Sequence, residues 1–331
     1  MLEHIYEFEK KYLSEYACHS ENTAGRKFEV EPSLLRTEFQ RDRDRIIHSK
    51  AFRRLKHKTQ VFLSPKGDHY RTRLTHTLEV MQVARTIARA LRLNEDLTEA
   101  ISLGHDLGHT PFGHSGENVL NKLNPSGFEH NKHSLRVVEF LENDGEGLNL
   151  TFEVKDGILH HKKSGKPSTL EGKIVSYADR IAYMNHDIED AILGGILTEN
   201  DIPKHITDIL GDSKAKRINT LVSDIVKNSY GKNFVGYSEQ IDKMADELRD
   251  FMFKSVYFNP KAKIEEQKAN QMIEFLYDYY MKNIDKLPAF YISLIDKWGK
   301  DNAVTDYIAS MTDTFAVKAF EDLFVPNCWN L

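Results

Sequence analysis

The chain has 331 residues, of which 40% are hydrophobic and 29% are charged, a composition typical of a globular protein with a sizeable buried core. The formal net charge of −5 creates no overall positive field, so nucleic-acid binding is not indicated, although local basic patches leave it open. The two cysteines, Cys18 and Cys328, exclude a disulfide framework, and no apolar stretch approaches the roughly 18 residues that span a bilayer, so we expect a cytoplasmic protein without membrane association.

Helical periodicity dominates the chain. Between residues 74 and 93, apolar side chains recur at steps of three and four, the spacing of one helix face. Similar patterns predict helices over residues 98–107, 113–123, 134–142, 171–196, 217–228, 238–257, 260–284, 287–297 and 301–324. Residues 59–63 are the best candidate for a short strand. We therefore predict an all-α fold in one domain over residues 1–331, with a core at about 70–195, an N-terminal segment at 1–69 and a C-terminal helical region at 196–331.

His105 and Asp106 form an adjacent pair at the end of a predicted buried helix. Residues 101–104 are apolar or small, and an unpaired carboxylate beside them would be costly to bury. A divalent cation would offset that cost, and imidazole with carboxylate suits Mn²⁺, Mg²⁺, Fe²⁺ or Zn²⁺. Because no cysteine lies nearby, a closed structural zinc site is not favoured.

His76 and Asp179 are candidates for further ligands, on the predicted helices 74–93 and 171–196 respectively. At roughly 100° per residue, polar and apolar side chains of the second helix separate onto opposite faces. The polar face carries Asp179, Tyr183, His186, Asp187 and Asp190, and the apolar face carries Ile181, Ile188 and Ile192. From this pattern the polar face either lines a site or is a solvated surface.

Several blocks of sequence occur in an order that carries a family resemblance. The blocks are RDRDRIIH at 41–48, AFRRL at 51–55, KTQV at 58–61, TRLTH at 72–76, HDLGHTPFGH at 105–114, FEHN at 128–131, YAD at 177–179, DYIA at 306–309 and MTD at 311–313. With His76, His105-Asp106 and Asp179, they resemble the deoxynucleoside triphosphate triphosphohydrolase (dGTPase-like) family of the HD-domain phosphohydrolase superfamily. The resemblance implies an HD-domain helical core with accessory helices at both ends. It also implies hydrolysis of dGTP, or of dNTPs more broadly, to a deoxynucleoside and inorganic triphosphate.

The resemblance implies a metal centre and an acid–base group beside it. It assigns one divalent metal ion to His76, His105, Asp106 and Asp179. His114 and Glu117 are three residues apart, so both can lie on one helix face, where the carboxylate would orient the imidazole for proton transfer. The alternative is that Glu117 only stabilises a helix N-terminus. His109 and His130 resemble residues on the phosphate side of the family's site.

Five further residues are candidates for substrate binding. Arg73 and Arg180 carry guanidinium groups with paired donors suited to phosphate, although a surface ion pair is an alternative for Arg73. Gln60 resembles the family residue that meets the sugar 3′-hydroxyl. Tyr183 and Asp187 resemble residues near the sugar, and a tight wall of Tyr183 beside C2′ would exclude ribonucleotides.

Two other functions remain open. A binuclear-metal HD phosphodiesterase uses a longer H…HD…H…H…D pattern, and His130 with His160 or His161 falls in the correct order for a second metal. We favour solvent-facing positions for His160 and His161 at a helix end, because the blocks around Gln60 and His114 belong to the triphosphohydrolase pattern. The other alternative is a non-catalytic nucleotide sensor. Such a protein would lack a metal ligand or a member of the acid–base pair, whereas this chain has all of these residues.

The resemblance also bears on partners. Relatives are often homo-oligomers, and some respond to a dNTP at a second site, so we expect a homo-oligomer with a dNTP substrate and a dNTP as candidate allosteric activator. Thr314 follows Asp313 where the family often has arginine. Base preference does not follow from these motifs.

Overall fold

The computed structural model describes residues 2–60, 71–257 and 260–326, and in these ranges the protein is built from α-helices. In chain order they are α1 (Leu2–Tyr12), α2 (Glu38–His48), α3 (Lys50–Arg54), α4 (Arg73–Leu91), α5 (Glu95–Gly104), α6 (Gly113–Leu123), α7 (His130–Arg136), α8 (Phe152–Leu159), α9 (Leu170–Leu193), α10 (Lys204–Leu210), α11 (Lys214–Ser229), α12 (Glu239–Met252), α13 (Pro260–Lys282), α14 (Ala289–Ser293), α15 (Ile295–Trp298), α16 (Lys300–Ala309) and α17 (Asp313–Phe324). The π-helical segments Val137–Leu141 and Phe253–Tyr257 extend α7 and α12. The predicted all-α fold is confirmed.

The strand predicted at 59–63 falls partly outside the described residues, which exclude 61–63. Within them, Thr59 forms only an isolated antiparallel bridge with Thr72. Across the described ranges, no helix combines the length and apolar character needed to cross a bilayer.

Helices α4, α5 and α9 form the centre of the larger hydrophobic core, with α4 packed along both of the others. Thr72 caps α4: its hydroxyl accepts from the backbone N of Thr75, and the Thr75 hydroxyl donates to the Thr72 carbonyl. The buried face of α4 then follows the predicted spacing through Val80, Ala84 and Ile87. This face carries His76 at its N-terminal end, so the same periodicity that builds the core aims His76 inward.

A second hydrophobic core forms between α6 and the C-terminal helices α13, α16 and α17. The single helix predicted over residues 301–324 is wrong, because the chain breaks between α16 and α17. The hydroxyl of Thr312 accepts from the backbone N of Phe315 and so starts α17 anew. The break places Asp313 at a helix N-terminus that faces the HD motif from the C-terminal region.

Candidate active site

The four predicted metal ligands converge from three helices. His76 Nε2 lies 3.1 Å from Asp179 Oδ1, and His105 Nε2 lies 3.6 Å from Asp106 Oδ1 and 3.9 Å from Asp179 Oδ1. Three of the four are buried, at 1% exposure for His76, 0% for His105 and 4% for Asp106. The Asp179 side chain keeps 22% exposure, so the centre opens toward solvent beside it.

The tautomer of His105 fits a metal ligand. Its Nδ1 lies 2.7 Å from the Ser102 carbonyl, which can only accept, so Nδ1 donates, and in the neutral ring Nε2 carries the lone pair. Among the residues that the structure describes, His105 Nε2 is buried without a hydrogen-bond partner. A divalent cation would satisfy this buried nitrogen and the two carboxylates beside it. The donor set of two imidazoles and two carboxylates therefore fits a divalent metal ion.

Arg73 is part of this centre. Its Nη1 donates to Asp106 Oδ2 at 2.7 Å and its Nη2 to the Gln60 carbonyl at 3.3 Å. Since Arg73 is 2% exposed, the alternative of a surface ion pair is wrong. Burial by itself would raise the pKa of Asp106, but the charges of His105 and Arg73 hold that pKa well below its ordinary value. The pKa of Asp179 is likewise lowered against burial, chiefly by the hydrogen bond to His76.

A second cluster brings together His109, His114, Glu117 and His130. Glu117 accepts from His114 Nδ1 at 3.1 Å through Oε2, and each of its oxygens lies 2.9 Å from His130 Nδ1. The backbone N of His130 also donates to Glu117 Oε1 at 2.9 Å. The His109 ring stacks on His130 with centroids 4.5 Å apart. Glu117 therefore orients two imidazoles, which is more than helix-end stabilisation requires.

Burial and charge set the ionisation of this cluster. Burial would raise the pKa of Glu117, but hydrogen bonds from His114 and His130 hold it well below its ordinary value. Burial, followed by the charge of Arg73, lowers the pKa of His109 far below 6.5. A stable carboxylate thus lies beside two buried imidazoles, His109 and His130, whose pKa is lowered by burial.

His161 joins the two clusters, and its predicted solvent-facing position is wrong. His161 is 2% exposed, its Nε2 lies 3.2 Å from His130 Nε2, and its ring lies 5.1 Å from that of His105. Ligand atoms of Asp106, His130 and His161 come within 4.8 Å of one another. The predicted solvent-facing position holds for His160, whose side chain is 37% exposed and pairs with Asp156. The chain turns toward the protein interior after α8, and the local sequence does not predict this turn.

Two glycines permit the close packing around the HD motif. A Cβ on Gly108 would lie 2.1 Å from the backbone N of Ser134, whose hydroxyl accepts from the Gly108 backbone N at 2.9 Å. Gly113 has a φ of +59°, and a Cβ there would lie 2.9 Å from the Gln60 carbonyl. Larger residues at either position would push apart the segments that hold His105 and His114.

The polar face of α9 is interior, so the solvated-surface alternative is wrong. His186 and Asp187 are each 1% exposed, and Asp190 is 3% exposed. His186 Nε2 lies 2.8 Å from Glu79 Oε2. Burial raises the pKa of Tyr183 to about 12, with the charge of Asp179 adding to the effect. Tyr183 therefore stays neutral one helical turn from the metal ligand.

The other two candidate substrate residues differ in their contacts. Gln60 is 8% exposed, and its Oε1 is buried without a hydrogen-bond partner in the described part of the chain. Arg180 is instead engaged: its Nη2 lies 3.4 Å from Asp246 Oδ1 on α12, and its guanidinium lies 5.5 Å from the Tyr177 ring. A phosphate at Arg180 would compete with Asp246.

Comparison with known proteins identifies the family. A sequence model of the HD domain matches residues 73–184, and one of the phosphohydrolase-associated domain matches residues 235–322. A deoxyguanosinetriphosphate triphosphohydrolase-like protein of Caldanaerobacter subterraneus subsp. tengcongensis is 60% identical over 323 residues, which cover 98% of this chain and 95% of that protein. One of Clostridium tetani is 50% identical, over 93% and 91% of the two chains. The chain belongs to the deoxyguanosinetriphosphate triphosphohydrolase-like family. It is an HD-domain phosphohydrolase.

Solved structures share the fold of this HD-domain protein. A phosphohydrolase from Bacteroides thetaiotaomicron superposes with a TM-score of 0.54 at 15% identity, over 89% of this chain and 71% of the other. A hypothetical protein from Aquifex aeolicus superposes with a TM-score of 0.50 at 21% identity, over 86% and 71%. These likenesses support the helical architecture of the phosphohydrolase.

Sequence reasoning about this HD-domain protein missed two residues that touch the site from outside the HD motif. Lys58 is 3% exposed, and its Nζ donates to the His109 carbonyl. Asp313 accepts from the backbone of both Thr59 and Phe112. Both lie in blocks that carry the family resemblance, KTQV and MTD. Their position in these blocks is the sequence feature that could have marked them as site residues.

Proposed function

We propose that this protein hydrolyses deoxynucleoside triphosphates, dGTP or a broader set, to a deoxynucleoside and inorganic triphosphate in a metal-dependent reaction. One observation carries the proposal: Asp106 contributes to the buried donor set with His76 and His105 and also lies within 4.8 Å of His130 in the acid–base cluster. A phosphorus atom near Asp106 would therefore meet both clusters at once. The printed names of the relatives favour a deoxynucleotide substrate.

In this proposal, His76, His105, Asp106 and Asp179 hold one divalent ion, Mn²⁺, Mg²⁺, Fe²⁺ or Zn²⁺. When bound, such an ion polarises a phosphate oxygen and lowers the pKa of a water molecule. Arg73 neutralises Asp106, since it is buried and paired at 2.7 Å. The protein thereby keeps its ligands oriented before substrate binds.

Proton transfer falls to His114 and its partners. Water attacks the α-phosphorus, the bond from that phosphorus to the sugar 5′-oxygen breaks, and the leaving oxygen takes a proton. His114 is 71% exposed at its side chain, so it can reach a bound substrate, while Glu117 fixes its Nδ1. We assign the proton transfer to His114, its orientation to Glu117, and stabilisation of phosphate charge to His109 and His130.

Substrate binding is proposed for Gln60, Arg73, Arg180, Tyr183 and Asp187. The unsatisfied Oε1 of Gln60 supports an acceptor role toward a sugar hydroxyl, because a buried amide oxygen without a partner is costly. Arg180 would bind a phosphate oxygen in place of Asp246. Tyr183 would form the wall beside C2′.

A second candidate function is a binuclear-metal phosphohydrolase or phosphodiesterase acting on another nucleotide. The facing Nε2 atoms of His130 and His161, 3.2 Å apart, favour this candidate, since both lie near Asp106. Asp106 would then be shared between two ions.

We further propose that the protein is a cytoplasmic homo-oligomer and that a dNTP activates it at a separate site. The family resemblance supports these proposals. Measuring the mass of the particle in solution, with and without each dNTP, tests both the assembly and its response to nucleotide.

The deciding experiment is a product assay with purified protein. Each dNTP and each NTP is supplied singly and in pairs with Mn²⁺, Mg²⁺ or Fe²⁺, and triphosphate, pyrophosphate and phosphate are separated by chromatography. We expect triphosphate release from at least one dNTP, and its loss in His105→Ala. His160→Ala is the matched control, because His160 pairs with Asp156 outside both clusters. Release of pyrophosphate or phosphate alone would replace the proposal with another nucleotide reaction, and no release from any nucleotide would favour a sensor.

A further inference from the structure

Asp313, the first residue of α17, connects two segments that flank the candidate active site. It is 6% exposed. Its Oδ2 accepts from the backbone N of Thr59 at 2.9 Å and from the Thr59 hydroxyl at 2.7 Å, and its Oδ1 accepts from the backbone N of Phe112 at 3.0 Å. One carboxylate thereby joins residues that lie 254 and 201 positions away in the sequence.

The loop 109–113 needs such an anchor because of its backbone conformation. Phe112 has φ 60° and ψ 26°, the left-handed region that a bulky residue adopts rarely, and Gly113 follows with φ 59°. These two residues turn the chain into α6, so they fix the direction in which His114 leaves the backbone. The Phe112 N–H, at the centre of the turn, is the group that Asp313 binds.

Lys58 reinforces the same connection. Its Nζ donates to the His109 carbonyl at the start of the loop and to the Ala309 carbonyl, 2.8 Å away, at the end of α16. The Lys58 carbonyl in turn accepts from the backbone N of Arg73 at 2.9 Å. The loop is therefore held at His109 and at Phe112, in both cases with the participation of the region matched by the phosphohydrolase-associated domain.

We propose that Asp313 is a positioning residue, which holds loop 109–113, and with it His109 and His114, in the arrangement that hydrolysis requires. Through it, the phosphohydrolase-associated region supports the reaction without contributing a catalytic group. The kinetic part of this inference rests on the proposed function, whereas the structural part does not.

Asp313→Asn disrupts the contacts of the Asp313 carboxylate and leaves the rest of α17 unchanged. An asparagine has one acceptor oxygen, so it cannot accept from Thr59 and Phe112 at the two positions that the carboxylate oxygens occupy, and its amide group would face a backbone donor. The matched control is Asp322→Asn on the same helix, where the carboxylate pairs with Lys318 at the surface. If Asp313→Asn does not fold, Asp313→Ser removes the carboxylate while Thr312 still caps α17, and it gives the same comparison.

Hydrogen–deuterium exchange of the full-length protein tests the structural part. We expect peptides covering residues 109–114 to exchange at least about tenfold faster in Asp313→Asn, because a backbone N–H has lost its acceptor, while α4 and α9 exchange as in the wild type. Thr59→Val removes the hydroxyl contact alone and should leave this loop unchanged. Unchanged exchange at 109–114 in Asp313→Asn, or faster exchange across the whole chain, would overturn the inference.

Steady-state kinetics tests the functional part. We expect kcat for triphosphate release to fall by about tenfold to a hundredfold in Asp313→Asn, as for a catalytic group misplaced by about 1 Å, with KM and bound metal within about threefold of wild type. Asp322→Asn should match the wild type. Equal kcat in the two variants would overturn the positioning role. A wild-type protein inactive on every dNTP would instead refute the proposed function, and the exchange experiment would still decide whether Asp313 holds the loop.

Discussion

The Nε2 atoms of His130 and His161 face each other at 3.2 Å in the protein interior. His161 Nδ1 lies 2.7 Å from the Ile158 carbonyl, and His130 Nδ1 lies 2.9 Å from Glu117, so in the neutral rings both facing atoms carry lone pairs. Two lone pairs at this distance repel each other unless a proton or a metal ion lies between them. Because burial lowers the pKa of both rings, to about 3 for His161, a metal ion is favoured over a proton.

The binuclear candidate predicts that His161→Ala binds fewer Mn²⁺ ions per chain than the wild type, whereas the one-metal proposal predicts equal counts. Under the binuclear candidate the count falls from two to one, since the donor set of His76, His105, Asp106 and Asp179 remains. Elemental analysis after dialysis against Mn²⁺ gives the count, and His160→Ala serves as the matched control because its side chain is partly exposed. A wild-type count of one that His161→Ala does not lower would remove the binuclear candidate.

Replacing Glu117 with Gln should lower kcat by about 10²- to 10⁴-fold, the usual contribution of a positioned acid–base group. In glutamine one of the two carboxylate oxygens becomes an NH₂ group, which would face either the two imidazole Nδ1 atoms at the Oε2 position or the His130 backbone N–H at the Oε1 position. Steady-state triphosphate release measures the effect. Glu265→Gln, at a carboxylate that pairs with Lys268 at the surface, should stay within about twofold of wild type. A folded Glu117→Gln protein with undiminished turnover would contradict the acid–base assignment.

Arg73→Met should destabilise the metal-free protein by about 3–5 kcal/mol, because it leaves the buried Asp106 carboxylate without its partner. A bound divalent ion supplies replacement positive charge, so the loss should shrink at saturating Mn²⁺. Urea unfolding with chelator and with Mn²⁺ measures both free energies. Arg53→Met, at an exposed position of α3, is the control. An equal loss under both conditions would show that Arg73 does not stabilise Asp106 electrostatically.

Helical periodicity and the order of the motifs were sufficient to predict most of the helices and to select four candidate ligands that the fold brings together. The face of α4 that buries Val80 and Ile87 also carries His76, so predicting the helix was enough to orient the ligand. His105 and Asp106 follow directly from the end of the buried α5. These features depend on residues close in sequence, where side-chain spacing determines direction.

Features that depend on distant residues were not predictable. The inward turn that buries His161 beside His130 involves positions 31 residues apart, and the anchoring of Phe112 by Asp313 spans 201. The burial of the α9 polar face also depended on which elements cover it. The break before α17 is different, since Thr312 is a good helix-cap residue and marks the start of α17 in the local sequence.

Lys58 should make the stability of the protein rise with pH above neutrality. Burial lowers its pKa to about 7, with the charge of Arg54 adding to the effect, whereas in the unfolded chain the pKa stays near 10.4. Between these values the unfolded chain binds one more proton, so raising the pH favours the folded state, and below about pH 7 the contribution is constant.

The test is the free energy of unfolding in urea between pH 7.5 and 9.5. Relative to Lys58→Met, the wild type should gain about 1.4 kcal/mol per pH unit in this range. Lys56→Met, at an exposed position, should keep the wild-type slope. Parallel pH dependence of the wild type and Lys58→Met would mean that Lys58 is protonated in the folded protein throughout.

Tyr183→Ala should weaken the discrimination between deoxyribonucleotides and ribonucleotides. Tyr183 lies one helical turn from Asp179, and its pKa near 12 keeps the phenol neutral, so it can act as an uncharged wall beside C2′. We expect the ratio of kcat/KM for dGTP over GTP to fall by about 10- to 100-fold, the scale of discrimination that pocket shape provides. Tyr183→Phe retains the ring and should retain the ratio within about threefold. If the dGTP/GTP ratio is unchanged in Tyr183→Ala, the steric wall lies elsewhere. If the ratio falls equally in Tyr183→Phe, the selectivity depends on the hydroxyl group instead of the ring.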